Sequence, residues 1–174
     1  MTNPRQILAL DLAAKTGWAL GTLRDNAPLS GSIQIANDSA SMAKLFSCWR
    51  LYLRDFLALN PEIGVVVFEA PLLPYMKSGQ TTINTLRRLI GLCAVTEELL
   101  FTLGTYDVRE ARVSDVRSHF IGSNRHKRPE AKAMTIAQCR RLGWKPVDDN
   151  AADALALWDY QRSLLINHDL LSRT

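Results

Sequence analysis

The chain has 174 residues, of which 47% are hydrophobic and 22% charged, so it can bury one sizeable core and is typical of a soluble globular protein with a single domain over residues 1–174. Three widely spaced cysteines (Cys48, Cys93 and Cys139), which lack close Cys/His neighbours, exclude a disulfide scaffold and a structural zinc site. The N-terminal apolar stretch contains Asp11, which excludes the uncharged core of a signal peptide or membrane span, and we expect a cytoplasmic protein.

The first third of the chain predicts three strands and a helix. Apolar runs at residues 7–12 and 18–23, separated by a turn at Lys15–Gly17, predict a β-hairpin, and residues 28–35 predict a weaker third strand. A helix follows from Ser41, because apolar residues recur there every three or four positions. These residues are Met42, Phe46, Trp49, Leu53 and Phe56.

The middle of the chain predicts a buried strand and a second long helix. Residues 65–68 are a continuous β-branched and aromatic run, which is typical of a central strand buried on both faces. After a loop at residues 71–79, helical spacing continues to about Leu103. The residues that mark this spacing are Ile83, Leu86, Ile90, Cys93 and Glu97.

The last third predicts a short strand at 106–108 and then three helices. They span residues 113–120, residues 129–142 with proline in the first turn, and a final stretch that begins at the capping residues 148–150. Strands that alternate with helices in this order predict an α/β fold with a mixed sheet.

Positive charge is concentrated in one segment. Residues 109–145 hold ten Lys or Arg and three acids, a net +7, which leaves −3 for the rest of the chain. Such a segment suits a polyanionic partner, because every phosphate that is neutralised releases counterions. A solvated basic helix face is the alternative interpretation of the same charges.

Four carboxylates stand where buried elements end or begin. Asp11 ends the first strand, Glu69 ends the central strand, and Asp149 and Asp153 lie one turn apart on the last helix. If the two strands are parallel neighbours, both acids open on the crevice at their carboxyl ends. Each acid taken singly also fits the role of a turn or cap residue. Together they suit Mg²⁺ or Mn²⁺, and two such ions about 4 Å apart activate water and stabilise the leaving oxygen of a phosphodiester.

Three motifs resemble those of the RuvC-type resolvases of the ribonuclease H-like superfamily. Residues 7–18 (ILALDLAAKTGW) are similar to the opening hairpin of that family, in which the first catalytic Asp precedes a Thr-Gly turn. Residues 65–71 (VVVFEAP) resemble the second motif, a strand that ends in Glu, and residues 148–157 (DDNAADALAL) resemble the terminal acidic helix. The resemblance implies a ribonuclease H-like mixed sheet of about five strands flanked by helices.

The resemblance also implies roles for particular residues. Asp11, Glu69 and Asp153 correspond to metal ligands, with Asp149 as the fourth. This chain departs from the family at Asn150, because the family places an acid three residues before the last Asp. Asp149 keeps the same helical face, and Asp148 is the less favoured substitute. A family lysine near the scissile phosphate corresponds by position to Lys132.

The function that the resemblance implies is cleavage of branched DNA, most of all four-way Holliday junctions, by paired incisions of a homodimer that holds two Mg²⁺ or Mn²⁺ per site. Forks, flaps and RNA–DNA hybrids remain alternative substrates, and a non-catalytic nucleic-acid-binding module of the same fold remains an alternative function. A sugar kinase or actin-like ATPase needs two such domains, and a proofreading exonuclease needs an acid where Ala13 stands. The expected DNA contacts are the basic residues Arg125, Lys127, Arg128 and Lys132, and the apolar pair Tyr75 and Met76, which is suited to wedging into an opened junction.

Overall fold

Five strands form one mixed β-sheet within the residues that the structure describes. The structure is a computed structural model, and it describes residues 6–37, 39–71, 82–104 and 106–171. The strands are β1 (Gln6–Asp11), β2 (Lys15–Gly21), β3 (Leu29–Gln34), β4 (Ile63–Glu69) and β5 (Asp107–Ala111). Their order is β3-β2-β1-β4-β5, with β1 antiparallel to β2 and parallel to β4. The predicted hairpin, the parallel neighbours and the α/β class with a mixed sheet are therefore confirmed.

Five helices cover the two faces of this sheet in the described part of the chain. They are α1 (Met42–Leu59), α2 (Ile83–Leu103), α3 (Val113–Ile121), α4 (Arg128–Arg141) and α5 (Asp149–Leu171). The first two pack against each other on one face, and α5 packs directly on β1 and β2 on the other face, with α3 and α4 against it. Side-chain oxygens of Ser41 and Thr82 accept backbone N–H groups at the starts of α1 and α2. None of the helices in the described residues is long and apolar enough to cross a membrane.

Two separate apolar clusters hold the helices on the sheet. Leu8 and Leu10 of β1 join the cluster under α1 and α2, whereas Ile7 and Ala9 join the cluster under α5. This division follows from the alternation of side chains along a strand. β4 contributes to both clusters in the same way, so it is buried on both faces, as its apolar run predicts.

The predicted turn of the first hairpin is wrong in position. Lys15, Thr16 and Gly17 belong to β2, and the turn lies at residues 12–14. The buried Thr16 hydroxyl donates a hydrogen bond of 2.8 Å to the carbonyl oxygen of Ala13 and so closes the turn earlier. The Thr-Gly pair is consequently part of the sheet, beside Asp11.

The buried face of α2 differs from the predicted apolar stripe, whereas the stripe predicted for α1 packs on the sheet. In α2, Ile83, Ile90 and Glu97 are exposed, whereas Leu86 and Cys93 are buried. In α1, Trp49 and Leu53 are buried, and Phe46 and Phe56 pack against the same cluster. Helix α2 carries apolar residues on more than one face, so their spacing alone does not determine which face is buried.

Candidate active site

Asp11 and Glu69 lie side by side at the carboxyl ends of the two central parallel strands. The register pairs Leu10 with Phe68, so the next residues, Asp11 and Glu69, are neighbours across the ladder. Their alternating predecessors, Ala9 and Val67, belong to the cluster under α5. Both carboxylates are therefore on the face of the sheet that α5 covers.

Helix α5 brings two further acids to this place. Its first turn runs over β2, and the buried Ala151, Ala152 and Ala154 let its backbone lie close to the strands. Asp149 and Asp153 of this helix both interact electrostatically with Asp11. We call Asp11, Asp149 and Asp153 the carboxylate cluster, with Glu69 next to it in the sheet.

The carboxylate cluster lies in a partly dry environment with mutual repulsion. Burial, reinforced by the charge of Asp153, raises the pKa of Asp11 from 3.8 to about 7. Burial also raises the pKa of Asp153, against the opposing effect of Lys132 and Arg117. Acids held in this way favour a cation, because a cation relieves both the repulsion and the cost of burial.

Lys132 supplies a cation to the carboxylate cluster. This lysine projects from α4 and forms an ion pair with Asp149. The hydrogen bond from its Nζ lowers the pKa of Asp149, and its charge also opposes the upward pKa shifts of Asp11 and Asp153. Lys132, which the family resemblance assigns to the scissile phosphate, therefore lies beside the acids.

The cluster has the donor chemistry of a site for hard divalent ions. All of its side chains offer carboxylate oxygens, the ligands that Mg²⁺ and Mn²⁺ prefer. Among the described residues, no three Asp, Glu, His or Cys side chains are arranged to hold one metal ion. Asp149 pairs with Lys132 through one of its two carboxylate oxygens, Oδ2.

Asp148, the alternative fourth acid, is held elsewhere. It accepts hydrogen bonds from Ser32 Oγ at 2.6 Å and from the Ala151 backbone N–H at 2.9 Å, and it lies 2.7 Å from Lys15 Nζ. Burial acts to raise the pKa of Asp148, but these three partners outweigh burial and lower it to about 2. Asp148 is the cap of α5, whereas Asp149 faces the carboxylate cluster.

The basic residues divide into two groups. Arg128, at the start of α4, and Arg117, on α3, act electrostatically on the carboxylate cluster. Arg125 and Lys127 are exposed on the segment that precedes α4. Arg117 is a site residue that the sequence analysis does not single out; the available signals are its place in the basic segment and its three-residue spacing from the buried Phe120. Tyr75 and Met76 lie outside the described residues.

Comparison with known proteins bears on the fold. No protein-family model and no curated protein matches the chain in sequence. Among solved structures, RuvC of Thermus thermophilus is 15% identical, with a TM-score of 0.64 over 89% of this chain and 92% of that one. T. thermophilus RuvC in complex with a Holliday junction substrate is 12% identical, with a TM-score of 0.66 over 90% and 91%. The yeast mitochondrial Holliday junction resolvase Ydc2 is 11% identical, with a TM-score of 0.67 over 98% and 84%.

The chain has the RuvC resolvase fold. The expected ribonuclease H-like mixed sheet flanked by helices is therefore confirmed. In this RuvC fold, the ends of β1 and β4 and the start of α5 meet at one edge of the sheet, which is where the motifs place the acids.

Proposed function

We propose that this protein is a divalent-metal-dependent endonuclease that hydrolyses phosphodiesters in branched DNA. Its main substrate would be the four-way Holliday junction, resolved by paired incisions, as in a crossover junction endodeoxyribonuclease. The observation that carries the proposal is the meeting of Asp11, Asp149 and Asp153, beside Glu69, at one edge of the RuvC sheet. The substrate class is supported by the matching structure of RuvC in complex with a Holliday junction substrate.

Asp11, Glu69, Asp149 and Asp153 would hold Mg²⁺ or Mn²⁺, two ions in each site. Bound ions of this kind supply an activated water and stabilise the leaving oxygen of the phosphodiester. Lys132, which lies beside Asp149, would bring its ammonium group close to a phosphate oxygen bound at this place. Arg117 and Arg128 add positive charge around Asp153, where the charge of the transition state grows.

The basic segment would carry the DNA backbone towards this site. Arg125, Lys127 and Arg128 precede or open α4, the same helix that carries Lys132. Positive side chains near the carboxylates would neutralise phosphates of the DNA backbone. The proposed wedge, Tyr75 and Met76, follows Glu69 by six and seven residues in the sequence.

The proposed homodimer has support in an exposed stripe on α2, which we call the outer stripe. Ile83, Ile90 and Phe101 leave 68%, 44% and 87% of their surface exposed. Together with the exposed Arg87, Ala94 and Glu97, these three residues are spaced alternately four and three positions apart, as in the seam of a coiled coil. The outer stripe consists of Ile83, Arg87, Ile90, Ala94, Glu97 and Phe101.

A two-fold axis near Leu92 makes the outer stripe self-complementary. Two antiparallel copies would then place Ile83 opposite Phe101 and Arg87 opposite Glu97. Apolar residues meet apolar residues and opposite charges meet, so we propose that a second copy of this chain covers α2.

Two other functions suit the same fold. One is a nuclease for forks, flaps or RNA–DNA hybrids, and the other is a non-catalytic nucleic-acid-binding module. A gel assay with Mg²⁺ should compare a four-way junction, a fork, a flap, a linear duplex and an RNA–DNA hybrid. Faster cleavage of the junction is expected. Preferred cleavage of another substrate would reassign the specificity, and binding without cleavage of any substrate would overturn the nuclease.

The metal site is tested by Asp11→Asn and Glu69→Gln, with Asp55→Asn on the exposed face of α1 as the matched control. We expect both site variants to lose cleavage and to keep or strengthen junction binding, because a lost carboxylate repels phosphate less. Near wild-type cleavage by either variant would contradict the metal-site proposal.

Loss of folding can be separated from loss of catalysis in Asp11→Asn. The folded-state pKa of Asp11, about 7, lies above the ordinary value of 3.8, so the ionised form destabilises the fold above pH 7, and this cost disappears as the pH falls towards 3.8. Without metal, Asp11→Asn should therefore raise the free energy of unfolding by about 1–4 kcal/mol at pH 8 and by less at pH 5. Urea unfolding at the two pH values measures this difference.

A further inference from the structure

One row of residues across the hairpin ends beside the carboxylate cluster. Asp11 of β1 pairs with Gly17 of β2, and Gly17 pairs with Ser32 of β3. Paired residues of neighbouring strands point to the same face, which here is the face under α5. Gly17 therefore leaves a gap between the side chains of Asp11 and Ser32.

The backbone of α5 fills this gap. A Cβ atom on Gly17 would lie 2.0 Å from the Asn150 carbonyl oxygen and 2.4 Å from its carbonyl carbon. These are backbone atoms of the first turn of α5, and they cannot turn aside as the end of a flexible side chain can. Any side chain at position 17 must therefore displace the start of the helix.

A polar clamp holds the same helix start from the outer side of the gap. Ser32 Oγ donates to Asp148 at 2.6 Å, and Lys15 Nζ lies 2.7 Å from the same carboxylate. Asp148 in turn accepts the backbone N–H of Ala151 at 2.9 Å. We call Gly17 together with Lys15, Ser32 and Asp148 the hairpin seat.

We propose that the hairpin seat positions Asp149 and Asp153 relative to Asp11, and that it thereby sets the affinity of the carboxylate cluster for divalent metal; this inference rests on the proposed metal-dependent function. Asp149 directly follows the clamped Asp148, and Asp153 lies one turn beyond it on the same rigid helix. A shift of the helix start therefore moves both carboxylates together. A misplacement of about 1 Å in a catalytic site lowers the rate by roughly 100-fold.

Gly21 provides a matched control for Gly17. It lies on the same strand and also faces α5, but a Cβ there would meet the side chains of Trp158, Pro28 and Asp25 rather than backbone, at 2.9, 3.0 and 3.1 Å. Trp158 is more than one turn beyond Asp153, away from the cluster. Ser30 is the corresponding control for Ser32, two residues earlier on the same face of β3.

The experiment measures two quantities, Mn²⁺ binding by electron paramagnetic resonance and single-turnover cleavage at saturating junction DNA. Circular dichroism first verifies that each variant is folded. Gly17→Ala should weaken Mn²⁺ binding by roughly tenfold or more and slow cleavage by roughly 100-fold. Ser32→Ala should weaken Mn²⁺ binding several-fold, and Ser32→Thr, which keeps the hydroxyl, should restore it. Gly21→Ala and Ser30→Ala should change the melting temperature alone. Unchanged Mn²⁺ binding in Gly17→Ala, or equal losses in Gly21→Ala, would overturn the inference.

A crystal structure of Gly17→Ala tests the inference without metal or DNA. The Asp11 to Asp153 distance should increase relative to wild type, and an unchanged distance would contradict the hairpin seat. If wild-type protein binds Mn²⁺ but cuts no DNA, the nuclease proposal is contradicted and the proposed role of the hairpin seat in metal affinity is unaffected. If Gly17→Ala fails to fold, Ser32→Ala and Lys15→Met carry both measurements.

Discussion

Two neighbouring acids at the start of α5 have different surroundings. Asp148 is bound by Lys15, Ser32 and the Ala151 N–H, and these partners lower its pKa to about 2. Asp149 faces Lys132 and the carboxylate cluster. The identical side chains therefore have separate tasks, one in capping the helix and the other in the proposed metal site.

This difference predicts opposite profiles for the two Asn variants. Asp149→Asn should lose cleavage by roughly 100-fold or more with little change in stability, because it removes a proposed metal ligand. Asp148→Asn should lose about 1–2 kcal/mol of stability through the weakened cap and clamp, and should lose less activity. Metal-titrated cleavage and urea unfolding of both variants provide the comparison. The reverse ranking in cleavage would transfer the ligand role to Asp148.

At the scale of single residues, the sequence predicts which acids lie near one another better than it predicts the contacts of each acid. Asp11 and Glu69 were predictable because a carboxylate at the end of a buried strand is costly unless a polar or charged partner compensates it. The division between Asp148 and Asp149 was not, because it depends on Ser32 and Lys15, which lie more than a hundred residues away in sequence. Helical spacing did favour Asp149, and the geometry agrees with that preference without testing its role.

At the scale of elements, we propose that α4 and the segment before it contact phosphates, with Lys132 of α4 beside the carboxylate cluster. If Arg125, Lys127 and Arg128 contact the DNA backbone, neutralising each one should reduce the slope of log affinity against log salt by about one unit. Lys132→Ala should in addition slow cleavage by roughly tenfold or more at saturating DNA, where a pure binding defect disappears. Filter binding across a salt series and single-turnover cleavage measure the two effects.

Lys44→Ala, an exposed change on α1, is the control for this series. Unchanged salt slopes and full turnover in all four variants would show that the segment is a solvated surface.

The apolar pattern of the sequence predicts the presence of helices and strands better than it predicts where a turn lies or which helix face is buried. The period of apolar residues predicted both long helices, because an amphipathic helix must bury one face. It did not predict which face of α2 is buried, since that helix carries apolar residues around much of its circumference. The hairpin turn was misplaced for a similar reason, because a Thr-Gly pair is compatible with both a turn and a strand until the Thr16 hydroxyl is placed.

At the scale of the whole molecule, the fold was predictable because several levels agree. One sheet with parallel central strands is indicated by the strand and helix patterns, by the order of the motifs and by the placement of the acids. Such agreement is typical of a sequence that specifies its fold. The outer stripe of α2 exposes three large apolar residues (Ile83, Ile90 and Phe101) on one long helix, and this is the observation behind the proposed dimer.

The proposed dimer can be tested through the charges of the outer stripe. Arg87→Glu should weaken self-association by roughly tenfold or more, because it places like charges across the two-fold axis, opposite the partner subunit's Glu97. Glu97→Arg should do the same. The double variant restores opposite charges at both ends of the stripe and should recover most of the affinity. Sedimentation equilibrium of the four proteins measures the association constants, with Arg24→Glu, exposed at the end of the hairpin, as the control for net charge. Unchanged association in the variants would place the dimer contact on another surface, equal losses in the single and double variants would contradict the Arg87–Glu97 pairing, and a wild-type protein that stays monomeric would overturn the dimer.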